Sequence, residues 1–302
     1  MTVDRDTLEY EVRDRIATIT FSRPEKRNSF TTAGCLELLA TLDEADADDD
    51  VRVVVVTGSG RSFCAGADLD EGFVAEGATT TEAQDELLQT YGCIAGVPRD
   101  AGGIVSLRIA RMDKPVIAAV NGSAVGVGAT MTLPMDIRVV GTSTRVGFVF
   151  ARRGLVPEAA SSWFLPRVVG ITRAMEWVAT GRLVDAGELE TAGYASRVVA
   201  DDRVVETARE IAAEIVAHTS PVAVAASRHL LWGMLTASSP WDAHALDSQA
   251  IHSLAAGADV AEGVASFLDK RPPVFPLSVT EDFPAVVPRW PHEPDRLIYN
   301  QA

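Results

Sequence analysis

The sequence predicts an α/β protein with a helical C-terminal region. Short β-branched runs, VRVVVVTG (51–58), PVIAAVNG (115–122) and DIRVVG (136–141), have the length and composition of strands buried on both faces. Segments with helix-start signals stand among them. Helical patterns then dominate the final third, and the stretch after Arg271 carries seven prolines. Strands alternating with helices, followed by helices alone, give an α/β core with an α-helical appendage.

The elements follow in chain order. Residues 8–21 read as two strands joined by a charged turn. Within IATITFS, Ile16, Thr18 and Thr20 alternate with Ala17, Ile19 and Phe21, the pattern of a half-buried strand. Thr31 and Thr32 are the expected N-caps of a helix reaching about Asp48. RSFCAGADLDE (61–71) reads as a loop of small residues. Residues 75–111 hold polar, helix-like segments broken by Gly and Pro, whose ends the pattern leaves open. SAVGVGATMTLPM (123–135) reads as a turn into a helix. Asp185 and Glu188 form a capping box, and Ser220–Pro221 start a helix to about Met234. The expected units are a core over 1–200, a helical region over 201–271 and an extended Pro-rich arm over 272–302.

Bulk composition excludes several function classes. The net charge of −15 argues against a nucleic-acid surface, because phosphate backbones need a basic face. No run approaches the roughly 20 apolar residues that span a bilayer. The charged N-terminus does not read as a signal peptide. Three scattered cysteines make neither a disulfide frame nor a metal knuckle. A cytoplasmic protein without a metal is expected.

Two glycine-containing loops follow buried strands, where α/β proteins place ligands. In SFCAGAD, Ala65, Gly66 and Ala67 let a ligand approach backbone N–H groups. In NGSAVGVGAT, Gly122, Gly126 and Gly128 lead from a strand into a helix whose first N–H groups are unpaired. Two such amides converging on one oxygen would form an oxyanion hole, suited to charge developing on a carbonyl. The second loop lacks the Lys-Ser/Thr of a Walker loop, and Met131 replaces the third Gly of a dinucleotide fingerprint. None of the five histidines stands by a Gly-x-Ser-x-Gly elbow or at metal-ligand spacing. Cys64 reads as a small buried hydrophobe.

Taken together, RP-x-x-RN (23–28), SFCAGADL, DKPVIAAVNGSAVGVG, DIRV, GLVPE, the TG at 180–181 and EGVASFLDKRPPVF resemble the enoyl-CoA hydratase/isomerase (crotonase) superfamily across about residues 8–276. The resemblance implies a crotonase-like spiral β-β-α core, a helical C-terminal trimerisation region and a homo-oligomer, either trimer or dimer of trimers. It implies an acyl-CoA thioester substrate, no separate cofactor, and a thioester enolate stabilised by two backbone amides. Carried over by position, those amides belong to Ala67 and Val127. The CoA moiety would lie near Arg23, Lys26, Arg27 and Ala65, with Phe267 and Lys270 reaching CoA on a neighbouring subunit. Asp68 and Asp136 match structural positions.

The chain departs from the family at the two glutamates that hold and split water in a hydratase. Those positions are Thr130 and Phe150. The remaining acid is Glu158, in the family resemblance the carboxylate of Δ3,Δ2-enoyl-CoA isomerases of the peroxisomal type. By position it reads as an acid in the first turn of a helix, with apolar neighbours raising its pKa and the helix N-terminus opposing them. The expected activity is transfer of a double bond from Δ3 to Δ2, with Glu158 as general acid/base. The alternatives are an enoyl-CoA hydratase with a non-standard acid set and a weakly catalytic acyl-CoA-binding relative. A dienoyl-CoA isomerase would want acids at positions 130 and 150.

Overall fold

Asp14 and Arg15, left-handed at φ 54° and 62°, turn β1 (Leu8–Arg13) back antiparallel onto β2 (Ile16–Phe21). The computed structural model of the chain describes residues 5–68, 70, 80–94 and 96–292. The Thr31 hydroxyl accepts the Gly34 N–H and caps α1 (Thr32–Ala47). β3 (Val53–Gly58) follows, every residue buried, and then β4 (Ser62–Cys64), a short strand in a segment expected to be loop. Next come α2 (Glu82–Tyr91), the small hairpin β5 (Cys93–Ile94) and β6 (Val97–Pro98), and α3 (Ala101–Arg111). α2 and α3 resolve the stretch whose pattern left the helix ends open; its residues 75–79 and 95 lie outside the described residues.

β7 (Val116–Val120) leads to β8 (Ser123–Val125) and the single turn α4 (Val127–Thr130). β9 (Ile137–Gly141) leads likewise to β10 (Arg145–Gly147). After α5 (Ser161–Val169) and α6 (Ile171–Thr180) come β11 (Leu183–Asp185), α7 (Ala186–Thr191) and β12 (Arg197–Val199). The chain then becomes helical: α8 (Val204–His218), α9 (Pro221–Met234), α10 (Pro240–Ala255), α11 (Ala258–Asp269) and the short α12 (Val279–Asp282). Asp185 caps the Glu188 N–H, but Glu188 binds Arg182 and Trp177 instead of closing the expected box.

The strands form two main sheets. One has the order β1-β2-β3-β7-β9-β12, the other β11-β10-β8-β4. Three times in succession a strand of the first sheet is followed by a short strand of the second, and helix follows: β3–β4, β7–β8 and β9–β10. This repeat is the expected spiral β-β-α core. All pairings from β2 to β12 in the first sheet are parallel.

α8 packs across β2, β3, β7 and β9. Its Val204, Ala208 and Ala212 meet Ile16, Val53, Val55, Ile117, Ala119 and Val139. β2 is therefore covered on both faces, where alternation alone indicated one. The opposite face belongs to the main core, which fills the space between the sheets and helices α1, α3 and α5. Each fully buried Val or Ile contributes roughly 1.5–3 kcal/mol, so these layers dominate the stability.

Polar anchors fix how the layers join. Asp136 accepts Val116 N–H, Arg228 Nε at 2.8 Å and Trp232 Nε1 at 2.8 Å. Arg228 also donates to the carbonyls of Ile109, Ala110 and Met112, satisfying the C-terminal end of α3. Asp136 is thus structural, as expected. The arm after Arg271, expected to be extended, instead folds back over its described part. Trp290 stacks on Trp232 at 5.8 Å and lies 5.2 Å from Trp163 of α5, while Arg289 pairs with Asp113. Aromatic area that an extended arm would leave in water is buried by this return. Residues 293–302 lie outside the described residues. No helix among the described residues is long and apolar enough to cross a membrane.

Candidate active site

Two left-handed glycines bring the glycine loops together. Gly66 has φ 101° and Gly126 has φ 56°, and a Cβ on Gly126 would stand 3.8 Å from Gly66 Cα. Gly66 has less room still, since a Cβ there would lie 3.0 Å from the Val125 carbonyl oxygen. Each glycine is followed by a residue whose N–H the fold leaves unused. Phe30 bridges Ala67: its N–H donates to Gly66 O and its carbonyl accepts Asp68 N–H. The Ala67 N–H therefore points to the other side of the strand. Val127 is the first residue of α4, whose N–H has no acceptor within its own helix. Among the described residues neither N–H has a hydrogen-bond acceptor, and both residues line one cavity of about 600 Å³.

Glu158 lines that same cavity. It does not stand in the first turn of a helix, as the sequence suggested. Ala159 and Ala160, left-handed at φ 60° and 52°, hold it in a turn ahead of α5. The Ser161 N–H and hydroxyl both donate to the Glu158 carbonyl. The side chain points back toward α4, where Oε1 accepts the Thr130 hydroxyl at 2.6 Å. Burial drives the Glu158 carboxyl up to about 8, with the Thr130 hydrogen bond opposing and the neighbouring Asp100 carboxyl adding to the rise.

Three residues complete this corner. Thr130 fills the position where a hydratase has its first glutamate; here its hydroxyl serves the acid from the next loop. Phe150, at the second glutamate position, is buried and contributes an apolar wall. Asp100, which the sequence left unassigned, caps α3 through the Gly103 N–H and accepts the Ala159 N–H at 3.1 Å. An N-cap aspartate ahead of AGGIVSLRIAR, with its apolar residues at helical spacing, was the available signal.

Gly102 lies directly against Glu158. A Cβ added there would collide with Oε2 and stand 2.9 Å from Cδ. The far end of Glu158 would yield before the backbone did. Gly102→Ala is therefore expected to leave the fold intact and lower turnover by about 10²-fold, the usual cost of displacing a catalytic group by about 1 Å. Steady-state kinetics beside a thermal melt would check this; unchanged turnover would place Glu158 outside the chemistry.

The residues expected at CoA divide into two groups. Ala65 lines the cavity, and its N–H is held by the Arg27 carbonyl. Arg23, Lys26 and Arg27 lie outside the cavity lining, on the short helical turn 24–26 and its flanks. Arg23 is engaged with Asp68 at 3.1 Å and with Ser29 O; Lys26 pairs with Asp70 at 2.8 Å. Asp68 is thus a structural partner, as expected. Phe267 and Lys270 are exposed at the end of α11, Phe267 at 81%, and neither lines the cavity. No group of described residues has the composition of a metal site.

The two-sheet spiral and its glycine loops belong to the crotonase superfamily, a class of acyl-CoA enzymes. A family model described as Enoyl-CoA hydratase/isomerase matches residues 11–277, and the chain belongs to that family. Among its relatives, Enoyl-CoA hydratase ACTT3 of Alternaria alternata is 41% identical, over 87% of this chain and 83% of its own. The 1,2-epoxyphenylacetyl-CoA isomerase of Escherichia coli (strain K12) is 32% identical, over 87% and 96%. The crystal structure of an enoyl-CoA hydratase from Bacillus anthracis superposes with a TM-score of 0.77 at 27% identity, covering 89% of this chain and 99% of that one.

Proposed function

We propose that this enzyme shifts the double bond of a 3-enoyl-CoA thioester to the 2-position. The observation that carries this reading is that Glu158, its carboxyl bonded by Thr130 and without a basic partner among the described residues, shares the cavity with the two unused amides, while positions 130 and 150 hold no acid. Glu158 in its ionised form takes a proton from the carbon α to the thioester carbonyl. The electron pair passes to the carbonyl oxygen, where the Ala67 and Val127 N–H groups stabilise the enolate. Collapse of the enolate takes the proton from Glu158 at the γ carbon and leaves the double bond conjugated. One acid suffices because the proton removed is the proton returned. The acceptor and both oxyanion donors come from the chain, so no separate cofactor is needed.

The CoA moiety follows the same reading. Arg27 is exposed beside Ala65 and has no acidic partner among the described residues, and Arg23 and Lys26 keep positive charge at the same edge despite their aspartates. The apolar exposed faces of α9, α10 and α11, including Leu231, Trp241 and Phe267, suit a homo-oligomer, trimer or dimer of trimers, with Phe267 and Lys270 reaching CoA on a neighbour.

Hydration of a 2-enoyl-CoA is the second reading. Asp100 favours it, because a second carboxyl beside Glu158 restores a pair able to hold water, and ACTT3 is named a hydratase. Purified protein given 3-enoyl-CoA and 2-enoyl-CoA separates the two. Appearance of the conjugated thioester from the first, with no water added to the second, is expected. Faster hydration of 2-enoyl-CoA would replace the isomerase reading, and binding of both esters without conversion would mark a non-catalytic relative.

A further inference from the structure

We propose that Asp100 is a positioning residue for the reaction: one of its carboxyl oxygens ties the start of α3 to the turn that presents Glu158, and its charge sets the pH at which Glu158 works. The inference rests on the reading of Glu158 as the base. Its geometric content is specific. Oδ1 of Asp100 accepts two backbone N–H groups from different elements, Gly103 of α3 at 2.5 Å and Ala159 of the 158–160 turn at 3.1 Å. Ala159 is fully buried and left-handed, so its N–H would have no water to turn to if Asp100 were removed. The same residue lines the cavity beside Glu158. A fixed negative charge there raises the cost of ionising its neighbour, as paired carboxylates do elsewhere.

The other groups around Glu158 leave this role to Asp100. From α4 comes the neutral Thr130 hydroxyl. From β4 comes Cys64, whose thiol burial pushes up to about 12, so it stays neutral. Asp68 is tied to Arg23. Arg99 and Arg153 line the same cavity, but neither contributes to the shift of Glu158. Burial and Asp100 together outweigh the Thr130 hydrogen bond, so the Glu158 carboxyl stands well above its ordinary value.

Asparagine separates the two contributions, because its carbonyl oxygen still accepts both N–H groups while the charge is gone. In protein carrying glutamate labelled with ¹³C at the side-chain carboxyl, the Glu158 signal is assigned by its loss in Glu158→Gln. In Asp100→Asn the Glu158 midpoint is expected to move down by about one pH unit, about the effect of removing one adjacent charge. The limb of the isomerisation pH profile that Glu158 controls is expected to follow it. Asp100→Ala, which loses the tether as well, is expected to lower turnover by about 10-fold or more at every pH. An unmoved midpoint in Asp100→Asn, or identical behaviour of the Asn and Ala variants, overturns the proposal. If Asp100→Asn does not fold, ¹³C-labelled aspartate in the parent decides. The Asp100 signal must then show an inflection at the Glu158 midpoint, and its absence overturns the proposal too. Because the midpoint is read without turnover, loss of the isomerase reading (activity unaffected by Glu158→Gln) is distinguishable from loss of this one.

Discussion

Glutamine in place of Glu158 is expected to lower isomerisation by about 10²- to 10⁴-fold, the span attributed to one well-placed acid/base. The variant keeps the shape of the side chain and an oxygen for the Thr130 hydroxyl, so KM should change little while kcat falls. The parent's pH profile carries the same prediction. Glu158 must be ionised to take the α proton, and its carboxyl stands near 8, so kcat/KM should rise with pH through that region. A rate that is flat from about pH 6 to 9 would remove Glu158 from the role of free-enzyme base.

The same shift has a consequence for stability with a definite sign. Glu158 is an acid whose folded-state pKa lies above its unfolded one, so between the two the native state holds a proton that the unfolded chain has lost. Stability contributed by the protonated acid is present below the unfolded value and is lost as pH rises toward about 8. Glu158→Gln escapes that loss. It is expected to match the parent in acid and to exceed it at about pH 8–9 by on the order of 2 kcal/mol, read by chemical denaturation at both pH values. A proposed base that costs stability in its ionised form fits the general trade between function and stability.

Gly128→Ala is expected to have the second large effect, on structure and activity together. Gly128 is the second residue of α4 and packs on β4, where a Cβ would collide with the Cys64 carbonyl oxygen and stand 2.8 Å from Cys64 Cβ. Unlike the neighbour of Gly102, this one is largely backbone and cannot swing aside. The clash would push α4 away from β4 and part the amides of Ala67 and Val127, which reach the cavity only because the two loops touch. A destabilisation of about 3 kcal/mol is expected, the upper end for overpacking a rigid site. Turnover should fall by about 10²-fold or more through loss of an oxyanion donor. Gly126→Ala is the informative control, since its Cβ meets no atom closer than Gly66 Cα at 3.8 Å and the cost there is one of backbone conformation alone.

Much of the fold was written in local chemistry. The Thr31 and Ser220 caps, the all-β-branched 53–56 and the start of the 221–234 helix needed only neighbours in sequence. What local pattern misjudged were features set by distant chain. β2 alternates like a half-buried strand yet is buried on both faces because α8, nearly 190 residues later, covers it. The proline-rich arm has the composition of an extended segment, but Trp232 and Trp163 give Trp290 a place to stack. α2 and α3 resisted placement because glycines at 92, 96, 102 and 103 break the helical pattern. At Gly102 the reason is a requirement of the site: Glu158 occupies the space a side chain would take.

By itself the sequence determined the α/β class, the two glycine loops, the family and the acid at position 158. Each rests on residue types at fixed spacing along the chain, which are legible without coordinates. Tertiary structure alone decided what that acid is. It showed Glu158 in a left-handed turn ahead of α5, bonded by Thr130 and flanked by an aspartate 58 residues away in sequence. A pKa is a property of burial and of charges brought close in space. Neither quantity exists until the chain has folded, which is why the residue was readable early and its chemistry only late.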